Sequence, residues 1–151
     1  MTLIEEYKSL IMKRDNLLRE KEINKEKIDQ LNELIDYYKW VYNSCLYEEN
    51  YYNESITSYS KMLKKSKYNN LFDFSLFLNG LDKYFSLRIE SLKKKIEENT
   101  KKKNSVHNLL VIKLRERENL KEKNYGIDFY ITEINEEISN NKVLIKDNSD
   151  K

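Results

Sequence analysis

A heptad can be followed without a skip from Leu3 to Leu63, and it limits what this chain can become more tightly than any other feature. One seam column reads Leu3, Leu10, Leu17, Asn24, Leu31, Tyr38, Cys45, Tyr52 and Tyr59. The other reads Tyr7, Arg14, Lys21, Ile28, Ile35, Tyr42, Glu49, Ile56 and Leu63. Such a pattern, held over about eight heptads, describes a helix with a narrow apolar seam that another helix must cover. Between Arg14 and Asn24 three seam positions are polar, which costs stability and can fix register.

A second heptad opens after Lys64 to Asn70, where lysines suit a helix C-terminus and Asn69 or Asn70 suits a break. Leu71, Leu78, Phe85, Leu92, Asn99, Val106, Lys113, Leu120, Ile127 and Ile134 fill one column. Asp82, Ile89, Ile96, Lys103, Leu110, Arg117, Asn124, Ile131, Ile138 and Ile145 fill the other. The expected fold is all-α, a long two-helix antiparallel coiled-coil hairpin occupying residues 1–140 as one domain. Helix 1 is expected over about 2–63, the turn near 64–71, helix 2 over about 72–139, and a frayed tail over 141–151. At ~1.5 Å per residue, the predicted rod is roughly 90 Å long. A fold-back near position 65 sets residue i against roughly residue 130 minus i. Cys45 then faces Phe85, Leu10 faces Leu120, and the polar stretch Arg14 to Asn24 faces the polar stretch Lys103 to Arg117. Gly80 lies inside the second helix, and Gly126 marks a kink near its end.

Composition agrees with a narrow seam and wide solvated faces. Charged residues make up 36% of the 151 residues, against roughly 25% in ordinary globular chains. The absence of Pro and Ala beside abundant Lys, Asn, Ile and Tyr points to an AT-rich coding genome. A net charge of +2 argues against a dedicated nucleic-acid binder. A lone cysteine, Cys45, rules out an internal disulfide framework and reads as a small buried hydrophobe. Glu5, Glu6 and Lys8 interrupt any signal-peptide core, and no apolar run is long enough to span a membrane, so a soluble, cytoplasmic protein is expected.

No catalytic constellation can be assembled. His107 is the only histidine, which leaves no triad and no histidine-based metal site. Adjacent pairs such as Glu48-Glu49, Glu97-Glu98 and Glu136-Glu137 diverge on a helix and read as solvated faces. There is no glycine-rich phosphate loop. The chain reads as non-enzymatic, without cofactor or metal. The lysine runs 93–95 and 101–103 read as solvated flanks, with contact to an acidic partner surface as the functional alternative.

Off the seam, Gln30, Leu34, Tyr37 and Val41 recur with steps of four, three and four, and Phe77, Leu81, Tyr84 and Arg88 repeat that spacing on the second helix. In the predicted register the two sets lie at comparable heights. Aromatic and arginine side chains in such places are typical interface anchors, although the two sets could equally cover each other.

The stretch Gln30-Leu31, Leu34-Ile35-Asp36-Tyr37, Tyr42 and Leu46, continued by Phe77, Leu81 and Lys83, resembles the FliJ family, the soluble coiled-coil component of the bacterial flagellar type III export apparatus. The resemblance covers about Ile28 to Lys123. It implies a hairpin similar to the central stalk of rotary ATPases. Such a stalk inserts into the export ATPase ring, links it to the membrane export gate and handles export chaperones. Its place is cytoplasmic, peripheral to the inner face of the membrane at the flagellar base. The family's gate-binding surface maps onto Gln30, Leu34, Tyr37, Val41, Phe77, Leu81, Tyr84 and Arg88. Val41, Tyr84 and Arg88 depart from the family residue, and the region between Leu46 and Leu71 is longer than usual. Charged residues toward the termini, Arg14, Arg19, Arg115 and Arg117, are the expected ring contacts. A virulence-type injectisome stalk and a generic coiled-coil scaffold or chaperone remain the alternatives, with a rod-like nucleic-acid binder third.

Overall fold

In the computed structural model, backbone is described for residues 2–68 and 75–149, and side chains for 2–65 and 80–149. Two α-helices account for all of it beyond Thr2: α1, Leu3–Tyr68, and α2, Ser75–Ser149, packed against each other. The expected all-helical hairpin is the observed fold. Of the predicted turn at 64–71, residues 64–68 instead continue α1, and 69–71 lie outside the described residues. The tail expected to fray at 141 is helical to Ser149. Asn141 and Ile145 continue the half-buried seam there, and Lys146 in the last turn offsets the helix dipole. Neither Gly80 nor Gly126 ends a helix, so α2 runs through the expected kink.

The start of α1 has a local cause that lies in the first residues. Thr2 and Glu5 form a capping box: the Glu5 amide donates to Thr2 Oγ1 at 3.2 Å, and the Thr2 amide donates to Glu5 Oε2 at 3.0 Å. Glu5 and Glu6 add first-turn negative charge, which the helix dipole favours.

Every described seam position is shielded, fully or in part, including the polar ones. The chain divides into two compact units, Met1–Ile35 with Ile112–Lys151, and Asp36–Val111. In the first, Ile35, Ile127 and Ile138 are buried together with Asn24. Asn24 Nδ2 donates to Asn124 Oδ1 at 3.0 Å, Lys21 pairs with Asp128, and Arg117 donates to Asn32 at 3.1 Å. The helices are antiparallel here, with paired positions that total 148 or 149. In the second unit, Val41, Cys45 and Val106 form a buried cluster flanked by Tyr38 and Tyr42. Leu92 and Asn99 are buried as well. Across this unit, α2 falls from His107 to Phe85 as α1 rises from Tyr42 to Tyr59, again antiparallel.

The register departs from the predicted one. Cys45 meets Asn99 rather than Phe85, Tyr59 rather than Cys45 packs on Phe85, and Leu10 lies beside Glu137 rather than Leu120. The offset is about 18 residues, or about five seam steps of ~3.5 residues, and each such step returns seam to seam. Periodicity alone does not distinguish these slips. The two polar patches consequently do not face each other. Lys21 and Asn24 pair with Asp128 and Asn124, Lys103 pairs with Glu49, and Arg117 bonds to Asn32. Such cross-helix pairs between polar seam residues select one register.

Candidate partner-binding surface

The eight residues expected to bind a partner are divided between the two units and differ in exposure. Gln30 and Leu34 belong to the first unit, where Gln30 is exposed and Leu34 half-buried. They line a shallow groove of about 260 Å³ with Lys27, Leu31, Glu116 and Leu120. Tyr37 and Val41 belong to the second unit. Tyr37 is 56% exposed, whereas Val41 is 7% exposed within the Cys45–Val106 cluster. The Val41 side chain is therefore committed to the core.

On α2, Leu81 is half-buried, while Tyr84 and Arg88 are exposed. The Phe77 side chain lies outside the described residues. Arg88 is not free: its guanidinium lies 5.8 Å from the centroid of the Tyr59 ring, and the hydrogen bond with Tyr59 raises its pKa further. Tyr84 stacks edge-on against Phe85, which in turn packs on Tyr59. These α2 residues therefore sit at the level of Tyr59 on α1. Eighteen residues of helix, roughly 27 Å at ~1.5 Å each, separate that level from Val41. The expectation that the two sets share a height is corrected by the register.

Of the four arginines expected at a ring, Arg19 and Arg115 are exposed. Arg14 and Arg117 lie at the seam, where each Nε is buried without a hydrogen bond, 3.6 Å from Asp15 and Glu118 respectively. In the lysine runs, residues 93–95, 101 and 102 are exposed. Lys103 turns inward to Glu49 at 2.9 Å, and that hydrogen bond raises its pKa against the opposing effect of burial. His107 is exposed, with its ring 6.0 Å from that of Tyr42. Among the described residues there is no group of three or more metal-ligating side chains, and no helix is long and apolar enough to cross a membrane.

A surface that the seam and stripe patterns missed lies on the outside of α1. Tyr37, Trp40, Tyr47 and Tyr51 are 56%, 66%, 77% and 60% exposed. With Ser44, which is half-buried, they recur at steps of three, four, three and four, a third heptad column whose aromatic rings stay exposed among the described residues. Tyr37 and Trp40 stack with ring centroids 6.3 Å apart. Ser44 donates back to the Trp40 carbonyl at 2.9 Å, and the small residue leaves a groove of about 640 Å³ between Trp40 and Tyr47, bounded by Glu48 and by Lys102 of α2. The signal was present in the aromatic spacing, but this column runs for only about two heptads and was overshadowed by the seam.

Comparison with protein-family models, with curated proteins and with solved structures finds no match to the chain.

Proposed function

We propose that the protein is the non-enzymatic stalk component of a bacterial flagellar type III export apparatus, coupling the export ATPase ring to the membrane export gate and receiving export chaperones. The observation that carries this reading is the antiparallel pairing, within each unit, of two helices of 66 and 75 residues along a heptad seam, the architecture that the resemblance at Gln30 to Leu46 implies. The protein would act by binding and mechanical coupling in the cytoplasm, reaching the membrane through the gate. Tyr37 is the gate-binding residue that best keeps both the family residue type and an exposed side chain. Gln30, Leu81 and Tyr84 are secondary contributors. Val41 acts through packing, and Arg88 is shared with Tyr59. Arg19 and Arg115 are the accessible members of the proposed ring-contacting set.

The decisive experiment is a pull-down with the purified export ATPase together with its rate of ATP hydrolysis. Binding and stimulation are expected, and their joint absence would overturn the stalk reading. Tyr37→Ala should keep its helicity and lose gate binding; a collapse of helicity would make Tyr37 structural. The second reading, a coiled-coil scaffold, gains support from the burial of Val41 and the Arg88–Tyr59 contact, which account for two of the eight positions by packing alone. An injectisome stalk shares the same physics and is separated from the flagellar one by which ATPase it stimulates.

A further inference from the structure

We propose that the outer face of α1 carrying Trp40, Tyr47 and Tyr51 docks a cationic amphipathic helix of a partner protein. This stands apart from the export reading, which assigns none of these three and only Tyr37 of the same column. The three-four spacing of the column matches the side-chain column of an approaching helix, and Ser44 supplies the hole at its waist. Given ~150–250 Å² per aromatic side chain, the exposed fractions leave on the order of 500 Å² of aromatic surface uncovered. That lies in the upper half of the ~300–600 Å² of the largest apolar patch on a typical monomer, a size that is often functional. It falls below the ~800 Å² per partner of a standard protein–protein interface, and so fits one helix better than a globular partner or a stable dimer.

Charge names the chemistry of that helix. Between residues 36 and 60, α1 carries Asp36, Glu48, Glu49 and Glu54 against Lys39 alone. Glu49 is taken up by Lys103 at the seam. At ~100° per residue, Asp36, Glu48 and Glu54 fall within about 60° of the aromatic column, whereas Lys39 falls about 120° away. All three carboxylates are exposed, and none forms an ion pair among the described residues. An aromatic column edged by unpaired carboxylates favours Lys and Arg, which can cover the rings with their aliphatic stems and pair at the rim. Among the described residues that line the groove, Lys102 of α2 is the cation. A second copy laid on this face would set Asp36, Glu48 and Glu54 against their own kind.

Trp40 is the only tryptophan and reports directly on this face. The full chain is titrated with a synthetic four-heptad helix that has Leu and Ile at its seam and Lys on its flanks, and with the same helix carrying Glu for Lys. The Lys helix should give a saturable blue shift of Trp40 emission that weakens as salt rises, and the Glu helix should give none. Tyr47→Ala should weaken binding at least tenfold with unchanged circular dichroism, and the double change Glu48→Lys, Glu54→Lys should weaken it several-fold and flatten the salt dependence. An equal response to both helices would overturn the proposal. So would the absence of any shift, loss of helicity in Tyr47→Ala, or self-association that buries Trp40 without peptide.

Discussion

Asn99 occupies a seam position at 6% exposure, and its Nδ2 donates to the Cys45 carbonyl of the facing helix at 2.7 Å. Its Oδ1 is buried with no hydrogen-bond partner among the described residues. The substitution Asn99→Leu therefore removes three things of different size. The hydrogen bond contributes about 1 kcal/mol, and the Cys45 carbonyl, inside α1, keeps its own helix partner when that bond is lost. The orphaned oxygen costs about 1–2 kcal/mol, which the substitution recovers. A leucine buried beside Cys45 adds about 2 kcal/mol of apolar burial, reduced by about 1 kcal/mol for its greater bulk. The expected result is a gain of about 1–2 kcal/mol, or roughly 2–8 °C in Tm for a chain of this length. Urea unfolding followed by Trp40 fluorescence reports on the unit that holds the substitution. What the substitution should lose is specificity, seen as a mixture of oligomers in sedimentation, because a polar seam residue excludes competing registers. A loss of more than about 1 kcal/mol would refute the reasoning, since it would mean that Oδ1 is satisfied or that the layer cannot accept a branched side chain.

Three further outcomes follow from the same geometry. Gly126→Ala should stabilise by about 1 kcal/mol in thermal unfolding, because an added Cβ meets nothing within 4 Å and alanine loses less backbone freedom on entering a helix; an unchanged or lower Tm would indicate a local bend that α2 needs. Thr2→Ala should cost about 1 kcal/mol of cap stability, read as faster amide exchange at Glu5 and Glu6 rather than as a lower global midpoint. Glu49 raises the Lys103 pKa, so the pair's contribution is complete below the ordinary lysine value of about 10.4 and is lost as pH climbs through the higher folded value. The stability gap between wild type and Lys103→Met should therefore narrow only in that alkaline range; a gap that stays constant through it would remove the ion pair as its cause.

The sequence by itself determined two helices and which side of each is covered. Residues as different as Arg14, Cys45, Glu49 and Lys103 all sit at shielded positions because their heptad column puts them there. The period of a coiled coil is a local property, written residue by residue, and could be read without a partner. Register is not local. A heptad column slid by a few residues still presents seam to seam, so apolar burial barely separates the choices. What separates them is the pairing of polar groups across the helices: Asn24 with Asn124, Lys21 with Asp128, Asn99 with the Cys45 carbonyl. Only the tertiary structure decided those pairs. They in turn set Arg88 over Tyr59, in a fold that holds Val41 in the core and leaves Trp40, Tyr47 and Tyr51 exposed.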